Sequence, residues 1–489
     1  MDQPSPTRLI VGPFNRVEGD LEVRLELADG RVTQAQVNAP MYRGFEQMLA
    51  GRAPHDALVI VPRICGICSV SQSVAAARAL ADAAGTEVPP NGHLAVNLML
   101  ACENVADHLS HFYLFFMPDF TRPVYAARPW FGEAQRRFAA LAGEHARAAT
   151  AARQRWFELM GTLGGKWPHT GSVMPGGSAR AIEAAERIRL LARVRELRAF
   201  LEATTFAAPL EEVAALADEA ALAAWHAADP LRGDLRCFLT IAADTQLHTL
   251  GRGPGRTLSY GAYRRADGTH ELAAGVWDEA ARTLEPPDLL SITEDPAHAW
   301  LAGERPRHPR EGRTEPLADK PAGYTWNKAP RLGGRVVETG AIARQLADGQ
   351  PLVRDAVARH GATVYTRVLA RLVEVARVLP MMERWLAALV PREPFCAAHA
   401  LPDEAVGVGL TEAARGALGH WLSVRRGHIE NYQIVAPTSW NFSPRDAGGT
   451  PGALEAALVG TPVAPGEDTP VAVQHVVRSF DPCMVCTVH

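Results

Sequence analysis

The first patterned segment of the chain alternates apolar and polar side chains. Leucine or valine occupies each odd position from 21 to 27, and charged residues occupy the positions between them. Asp29-Gly30 then provides the residue types of a tight turn, after which residues 32–37 run back in the opposite direction. The pattern predicts a β-hairpin within a region of about residues 8–40, with one polar side facing solvent.

Beyond this hairpin, apolar residues recur at helical spacing over long stretches rich in Ala, Leu, Arg and Glu. The predicted helical segments are residues 69–84, 94–116, 127–163, 179–203, 207–226 and 352–389. Glycine and proline are frequent in the middle of the chain, but no linker of distinct composition divides it. We therefore predict a single domain over residues 1–489. Its class is α+β and predominantly α, with a long-helix bundle core and small peripheral β elements.

The charge balance narrows the range of ligands. The chain has 489 residues, with 50 Lys and Arg against 54 Asp and Glu, and a formal net charge of −4. Nucleic-acid binding depends on a cationic surface that neutralises phosphates, so nucleic acid is not expected as a partner. The arginine-rich stretch 305–313 is predicted to be an exposed loop, with a nucleic-acid patch as the less favoured alternative.

No segment has the pattern of an export signal or a membrane span. The N-terminus lacks a basic region followed by an apolar segment, and no apolar run reaches the ~18 residues of a membrane span. We expect a cytoplasmic protein without direct membrane insertion, unless a partner carries an export signal.

Four of the seven cysteines form two Cys-x-x-Cys pairs, Cys65 with Cys68 and Cys483 with Cys486. Four thiolates suit one soft or borderline metal, and structural zinc is the plainest alternative. A redox dithiol is less favoured, because neither pair lies in a thioredoxin-like βαβ pattern. The apolar residues before the first pair are unlike a zinc knuckle, and the last residue, His489, is a further candidate ligand. The remaining cysteines are expected to be core residues: Cys102, Cys237 and Cys396.

At these residues the sequence resembles the large subunit of nickel-iron hydrogenases, and the likeness extends nearly from end to end. Its strongest elements are the two end motifs, residues 63–68 (RICGIC) and 481–489 (DPCMVCTVH). Other family-like blocks lie between them or just before the first: 16–19 (RVEG), 42–46 (YRGFE), 107–113 (DHLSHFY), 164–169 (GGKWPH), 328–331 (KAPR), 415–421 (RGALGHW) and 437–441 (PTSWN). Related subunits of respiratory complex I share the fold but lack the four thiolates.

The resemblance implies a nickel-iron centre, formed by both chain ends, that splits H2 reversibly into a hydride and a proton. All four thiolates then bind nickel, with Cys65 and Cys483 as terminal ligands. Cys68 and Cys486 also bind a low-spin iron that carries one CO and two cyanides. Cys483 is the expected proton acceptor. After these pairs only three cysteines remain, so a separate small subunit must hold the iron–sulfur clusters, in a heterodimer or a dimer of heterodimers.

Residues around the centre receive roles by the same resemblance. Glu18 matches the glutamate that relays the proton, the alternative being a surface charge at a turn. Arg415 matches the guanidinium that overhangs the metals. Its planar donor fork suits a cyanide nitrogen and the neighbouring carboxylates of Asp107 and Asp481.

Two further ligand-holding regions follow from the resemblance. Pro437 and Thr438 match the segment that cradles the cyanides. Glu46 and His489 match a magnesium site near the bimetallic centre, with the carbonyl oxygen of Ile434 as the third ligand. Oxygen ligands suit this hard cation.

Three other histidines have plainer interpretations. His169 is expected either near the small-subunit interface or in the core, hydrogen-bonded to backbone. The spacing of His108 and His111 is compatible with a metal, but we predict packed helix residues.

Several positions depart from the common respiratory enzymes. The chain ends at His489, where family precursors carry a tail that is removed after nickel insertion, so we expect a gene without a tail or a trimmed form. Gln72 stands where the extended motif often has His, and Ala414 replaces a common proline. Ile67 and Phe115 replace Val and Leu where gas approaches nickel.

The added bulk of Ile67 and Phe115, and the missing tail, resemble the regulatory hydrogenases, which sense H2 and signal to a histidine kinase. We therefore predict an O2-insensitive H2 sensor that controls hydrogenase gene expression, with these two side chains narrowing the gas channel. The main alternative is a catalytic respiratory uptake hydrogenase in its processed form. A non-catalytic, zinc-stabilised assembly subunit is a third.

Overall fold

The N-terminal sheet of the computed structural model, which describes residues 7–489, contains the predicted hairpin. Its strands β1 (Thr7–Val11), β2 (Glu22–Ala28) and β3 (Arg31–Asn38) are antiparallel in the order β1-β2-β3. Val23 and Leu25 are buried, and the charged residues beside them are partly exposed, in agreement with the alternating pattern. The strand β1 adds a third member to the predicted pair.

Helices form most of the regular structure, about 44% of the residues against about 18% in strands, so the fold is predominantly α. The described α-helices are α1 (Phe45–Leu49), α2 (Ala57–Ile60), α3 (Ser69–Ala84), α4 (Pro90–Ser110), α5 (Phe131–Phe138), α6 (Glu144–Trp156), α7 (Glu158–Gly164), α8 (Ala184–Phe200), α9 (Leu210–Ala214), α10 (Glu219–Ala227), α11 (Asp234–Asp244), α12 (Ala341–Ala347), α13 (Pro351–His360), α14 (Val364–Ala388), α15 (Pro437–Asn441), α16 (Ala453–Leu458), α17 (Val471–Ser479) and α18 (Met484–Thr487). Two of them continue into π-helical turns, α4 into His111–Phe116 and α8 into Leu201–Thr205.

Three segments that the pattern predicts as continuous helical stretches are divided in the structure: 127–163, 207–226 and 352–389. In the first, Leu141 takes a left-handed conformation with φ +63° between α5 and α6. In the second, the side chain of Asp218 accepts a backbone hydrogen bond at 2.7 Å and starts α10. In the third, Gly361 with φ +75° ends α13. Helical periodicity does not detect such caps.

The middle of the chain forms short antiparallel strands rather than helices. The pairs are β4 with β5, β7 with β8, and β11 with β12, and a three-stranded sheet has the order β10-β9-β6. The strands are β4 (Val173–Met174), β5 (Gly177–Ser178), β6 (Arg256–Ser259), β7 (Ala262–Arg264), β8 (His270–Leu272), β9 (Gly275–Asp278), β10 (Thr283–Glu285), β11 (Ile292–Asp295) and β12 (Ala329–Leu332).

The expectation that the β elements are small and peripheral is wrong for one sheet near the C-terminus. Strands β13 (Ala405–Ala413), β14 (Gly416–Arg425) and β15 (His428–Val435) form an antiparallel sheet in that order. Residues 416–422 of β14 are all buried. A strand that is buried along its length has no alternation of apolar and polar side chains, so the period-two pattern that identified the hairpin is absent here.

β13 approaches α3 at backbone distance. A Cβ atom at Gly407 would lie 2.0 Å from the carbonyl oxygen of Ala79, and one at Gly409 would lie 1.8 Å from that of Ala75. Only glycine permits this approach. Because α3 begins directly after Cys68, the contact also fixes the position of the first cysteine pair.

The interior contains a large hydrophobic cluster and a smaller one around the cysteines. The large cluster includes α4 and the 25-residue α14, which pack against each other as the predicted bundle core requires. The smaller cluster contains the four paired cysteines with residues of α3, β14 and β15. Among residues 7–489, no helix combines the length and the apolar character needed to cross a bilayer.

Replacing Gly409 with alanine should destabilise the protein, because the new methyl group would overlap the Ala75 carbonyl and force α3 away from β13. We expect a loss of about 3 kcal/mol in the free energy of unfolding, in line with overpacked cores. Thermal unfolding of the purified protein measures the effect. Gly132→Ala is the control, since a Cβ there meets nothing within 4 Å. Equal melting temperatures for the two variants would contradict the close approach.

Candidate metal centre

Each Cys-x-x-Cys pair lies at the start of a helix. Cys65 follows the 3-10 turn Val61–Ile64, and Cys68 immediately precedes α3. Cys483 immediately precedes α18, and Cys486 lies within it. All four side chains are buried, with no more than 5% of any residue exposed.

The structure brings the two pairs together into one cluster, as the sequence predicts. The Sγ atoms of Cys65 and Cys483 are 3.4 Å apart, and those of Cys68 and Cys486 are 3.0 Å apart. All four Sγ atoms lie within 4.8 Å of one another, and all four thiols are free. This is the sole cluster of metal-ligating side chains at that spacing within residues 7–489.

The four thiols cannot all ionise without a compensating charge. Hydrogen bonds with Cys483, Cys486 and Cys68 hold the pKa of the Cys65 thiol well below its ordinary value. Contacts with the neighbouring thiols, and then burial, raise the pKa of Cys68. Burial, and then contacts with Cys483 and Cys65, raise the pKa of Cys486. A bound cation removes this conflict, because metal ligation requires thiolates and stabilises them. The donor set therefore fits a thiolate-binding metal.

Backbone contacts join the loops that carry the two pairs. The Arg43 guanidinium donates to the carbonyl of Ile64 at 2.7 Å and also to the carbonyl of Val485. Glu18 pairs with the second loop as a short parallel bridge, in which Met484 N donates to Glu18 O at 2.7 Å. The N-terminal segment and the C-terminal end of the chain therefore form the site together.

The Glu18 carboxyl lies beside this cluster and is half-buried. Burial and the nearby Cys65 raise its pKa, and the charges of Arg415 and Arg43 oppose that rise. The alternative interpretation of Glu18 as a surface charge at a turn does not fit this position.

Arg415 lies in the turn between β13 and β14, close enough to the cysteine cluster for its charge to act on the thiols. Its Nη1 donates to Asp107 Oδ2, its Nη2 to Asp481 Oδ1 at 3.1 Å, and its Nε to the Asp481 carbonyl at 2.9 Å. Burial raises the pKa of Asp107 to about 8, although Arg415 opposes the rise. Burial favours a higher pKa for Asp481 as well. The charges of Arg415 and of neighbouring cationic groups outweigh burial, so the pKa of Asp481 is lowered.

A second buried arginine holds the turn that carries Arg415. Arg344 donates to two carbonyls of the turn, at 2.7 and 3.0 Å. Its charge is balanced by Glu374 at 2.7 Å and Glu412 at 2.8 Å, and none of these three residues is more than 1% exposed. This network positions Arg415 through the backbone.

The predicted cyanide-holding segment forms α15 and contacts the second cysteine loop. The Thr438 hydroxyl accepts a hydrogen bond from Cys483 N at 3.2 Å, and the Pro437 carbonyl accepts one from the Thr339 hydroxyl at 3.4 Å. Asn441 joins α15 to Thr339 through two hydrogen bonds of 2.9 and 3.0 Å. Thr438 therefore lies beside the cluster, and Pro437 directly precedes Thr438 at the start of α15.

Glu46 and His489 meet in a second polar pocket. His489 Nε2 lies 3.1 Å from Glu46 Oε1, which also accepts the Ile434 N–H at 2.7 Å. The contact that the structure shows for Ile434 is through this N–H, whereas the predicted ligand is its carbonyl. Burial raises the pKa of Glu46, but Lys328 and His489 outweigh it and lower the pKa to about 2. A carboxylate and an imidazole here fit a divalent cation.

The two residues assigned to the gas channel occupy different surroundings. Ile67 is partly buried and packs against the cysteine cluster. Phe115 lies in the π-helical turn after α4, and its carbonyl accepts a hydrogen bond from Arg16 at 3.0 Å. The narrowing of a channel by both side chains stays a prediction.

Gln72 replaces the usual histidine and takes part in a buried chain of hydrogen bonds. Its Nε2 lies 4.0 Å from Cys486 Sγ, and its Oε1 lies 3.0 Å from His420 Nε2. His420 Nδ1 in turn contacts the Tyr432 hydroxyl at 2.8 Å. Burial lowers the pKa of His420 to about 3, so the imidazole is neutral.

The remaining histidines and cysteines largely follow their plainer interpretations. His108 pairs with Glu374 at 3.0 Å, and His111 contacts the Arg478 carbonyl at 2.7 Å. His169 Nδ1 contacts the Pro62 carbonyl at 3.0 Å, which fits the interpretation of a histidine bonded to backbone. Of the isolated cysteines, Cys102 and Cys237 are buried, and Cys396 is half-exposed.

The sequence did not assign a role to Glu103, which fixes the start of α3. Its carboxylate accepts hydrogen bonds from the backbone N–H groups of Val70 at 2.8 Å and Ser71 at 2.9 Å, and from Trp167 Nε1 at 3.0 Å. The side chain thereby joins α4, the helix that follows Cys68, and the loop after α7. One signal was present: an acidic residue within an otherwise apolar helix.

The fold and the buried sulfur cluster define a thiolate-ligated metalloprotein. The chain belongs to the family described as nickel-dependent hydrogenase, whose pattern matches residues 43–136 and 130–489. It is the large subunit of a nickel-iron hydrogenase, and the enzyme is an oxidoreductase.

Curated relatives extend over almost the whole chain. It is 30% identical to the periplasmic [NiFeSe] hydrogenase large subunit of Desulfomicrobium baculatum, over 99% of this chain and 95% of that protein. It is 28% identical to the uptake hydrogenase large subunit of Rubrivivax gelatinosus, over 99% and 96%. Identity to the hydrogenase-2 large chain of Escherichia coli K12 is 27%, over 99% and 97%.

Solved structures agree with this assignment. The H2-activated [NiFeSe] hydrogenase of Dm. baculatum superposes with a TM-score of 0.86 at 29% identity, covering 99% of this chain and 100% of that one. The reduced Ni-Fe-Se hydrogenase of D. vulgaris Hildenborough gives the same TM-score, identity and coverage. The selenium belongs to those proteins; the clustered positions of this chain are four cysteines.

Glu103→Gln should change the pH dependence of stability. Burial raises the pKa of Glu103 to about 7 from an ordinary value of 4.5, against the hydrogen bonds that favour its ionised form. Between these pH values the folded protein binds more protons than the unfolded chain, so this residue lowers stability as pH rises. Glutamine does not titrate. The stability of the variant relative to the parent should therefore rise across this window, by up to about 3 kcal/mol.

Thermal unfolding of both proteins at several pH values between 4.5 and 7 measures this difference. A difference that does not vary with pH would contradict the assignment of a raised pKa to Glu103.

Proposed function

We propose that this chain is the catalytic large subunit of an uptake-type hydrogenase, paired with an iron–sulfur small subunit. The observation that carries the proposal is the cluster of four buried thiols near the Arg415 guanidinium, which two carboxylates hold in place. The names of the relatives, uptake and [NiFeSe] hydrogenases, support this function better than a sensory one.

The four cysteines would hold nickel, and Cys68 and Cys486 would also hold iron with one CO and two cyanides. Such a centre supplies the redox chemistry that splits H2 heterolytically. The side chains around the cluster orient its ligands: Arg415, fixed by two carboxylates and the Arg344-bound turn, offers a planar set of N–H donors. Pro437 and Thr438 border the second cysteine loop, where cyanide nitrogens need neighbouring donors.

Proton transfer falls to Cys483 and Glu18. Heterolysis releases one proton, and the Cys483 thiolate would accept it as a terminal ligand of the bound metal. The backbone bridge joins Glu18 to Cys483, and the Glu18 carboxyl lies near the Cys65 thiol of the same cluster, so this side chain is a candidate to pass the proton on.

A magnesium ion is proposed for the pocket of Glu46 and His489, with the Ile434 backbone beside it. The lowered pKa keeps Glu46 ionised, and a carboxylate is the ligand that this cation prefers.

A small subunit is needed because the electrons that the reaction releases must be carried away by iron–sulfur clusters. Outside the nickel pairs, residues 7–489 offer only three separate cysteines, which do not form an iron–sulfur site. We propose that the two subunits form a heterodimer or a dimer of heterodimers. We also propose that this assembly is located in the cytoplasm. The location rests on the sequence alone.

Serine at position 68 or 486 should reduce nickel binding at least tenfold, because a hydroxyl ionises less readily than a thiol and is a harder ligand. Nickel content by mass spectrometry and H2 oxidation by the purified heterodimer measure the effect. Cys396→Ser is the control, since this half-exposed thiol lies outside the cluster. Full nickel occupancy in both cluster variants would contradict the proposal that these cysteines bind nickel.

A second candidate function is the H2 sensor, with a histidine kinase as its partner and a site that is insensitive to O2. It is favoured by the position of Ile67, which packs against the cysteine cluster and is bulkier than the usual valine. O2 is larger than H2, so a narrow approach to the metals excludes it selectively.

The double change Ile67→Val, Phe115→Leu separates the two functions. If the parent resists O2 because these side chains obstruct the channel, the variant should bind nickel and split H2 anaerobically, yet lose activity in air. Shortening Ile to Val costs only about 1 kcal/mol, so the fold should survive. H2 oxidation before and after aeration measures the change.

The matched control is Ile60→Val with Phe131→Leu, since both residues pack against hydrophobic clusters without an assigned role in gas access. If the channel variant keeps its activity in air, Ile67 and Phe115 do not obstruct the access of O2. Inactivation of the parent itself by O2 would leave the uptake enzyme as the better function.

A further inference from the structure

The arginine-rich loop at residues 305–313 has no part in the chemistry above, yet it lines a defined cavity. The cavity has a volume of about 210 Å³. Three arginines of this segment line it: Arg305, Arg307 and Arg313. Its other charged lining residues are Lys328, Glu294 and Glu315. The loop is therefore one wall of a cavity, as well as the exposed segment predicted from the sequence.

The guanidinium groups of these three arginines have no carboxylate partner. Within residues 7–489, none of them forms an ion pair or a side-chain hydrogen bond, although the chain has more acidic than basic residues. Arg310 of the same loop is also unpaired among the described residues, whereas Arg331 pairs with Asp446 at 3.0 Å and Arg335 pairs with Asp278 at 3.0 Å. The three unpaired guanidinium groups belong to exposed residues that line one cavity.

The backbone of the loop is fixed on two sides. Arg307 and Glu294 exchange backbone hydrogen bonds of 2.8 and 3.2 Å, which attach the loop to β11. Asn431 of β15 donates to the Gly312 carbonyl at 3.0 Å. A ligand that binds here does not have to order the loop, so less affinity is lost on binding.

The deeper part of the cavity is formed by a buried ion pair. Lys328 Nζ lies 2.8 Å from Glu294 Oε2, and their side chains are 10% and 4% exposed. Lys328 thus balances the charge of Glu294, and of the remaining charged groups only Glu315 is acidic. With four cationic and two acidic side chains, the lining has a formal charge of +2 in a chain of −4.

We propose that this cavity binds a small, multiply charged oxyanion of the phosphate or polycarboxylate type. The planar fork of a guanidinium matches both phosphate and carboxylate oxygens. The cavity volume admits an ion of the size of phosphate or pyrophosphate, and the acidic balance of the whole chain disfavours a polymeric anion. The cavity shares Lys328 and Glu294 with the neighbouring pocket of Glu46 and His489, but none of its lining residues is assigned to the nickel centre.

Calorimetric titration of the purified heterodimer tests the site with three probes: inorganic phosphate, pyrophosphate and citrate. Binding at low salt that weakens as salt is raised is the expected result. Preference for the phosphate probes identifies a phosphate-type ligand, and preference for citrate identifies a polycarboxylate. No heat of binding from any probe would overturn the proposal.

Single substitutions separate this cavity from general electrostatic attraction. Arg305→Gln, Arg307→Gln and Arg313→Gln should each weaken binding about tenfold, the effect of losing one charge-assisted hydrogen bond. Arg310→Gln removes the same charge from the same loop, but its side chain does not line the cavity, so binding should be almost unchanged. Equal weakening by Arg310→Gln would show that attraction is nonspecific. Melting temperatures of all four variants exclude misfolding as the cause.

Discussion

The closure of four thiols around one point is the constraint on which the rest of the structure depends. The paired sulfur atoms belong to residues 418 positions apart in the sequence. Bringing such distant residues together costs about 5 kcal/mol of loop-closure free energy, because this cost grows only with the logarithm of the separation. Contacts near the ends of the chain supply part of the compensation: Arg43 binds a carbonyl from each cysteine loop, and Glu18 pairs with the second loop. The remaining attraction can come from the metal, since ligation is coupled to folding.

The buried charged side chains around that centre are paired with opposite charges nearby. Arg415 lies between Asp107 and Asp481, and Arg344 holds the turn behind it between two glutamates. Burying any one of these groups alone would cost several kcal/mol, and removing one partner would leave a buried charge without compensation. The networks therefore contribute positional accuracy more than stability. They determine where the guanidinium lies relative to the sulfur atoms, which a hydrophobic replacement of equal volume could not do.

The clustering of the cysteines and the local elements could be predicted from the sequence more completely than the tertiary architecture. The two cysteine pairs, α3 over its full length and the N-terminal hairpin agree with prediction, because residue type and local periodicity identify each of them. The sheet β13–β15 was missed, since its buried strands do not alternate. The role of Arg43 was also missed, because its donors reach backbone carbonyls that no residue pattern encodes. The side chain of Glu103 acts in the same way on the backbone of α3, so its function depends on the tertiary structure.

The side chains next to the sulfur cluster can vary while the fold of this family is retained. A TM-score of 0.86 at 29% identity shows that the backbone is retained while most side chains differ. Near the cluster, Gln72 contacts both Cys486 and His420, and Ile67 packs against the cysteines. In a close-packed interior, a change of one methylene alters the path open to a gas, and a change of one donor alters the charge density on a sulfur. Packing and hydrogen bonding at the cysteines can therefore change the surroundings of the sulfur atoms without a change of fold or of the ligand set.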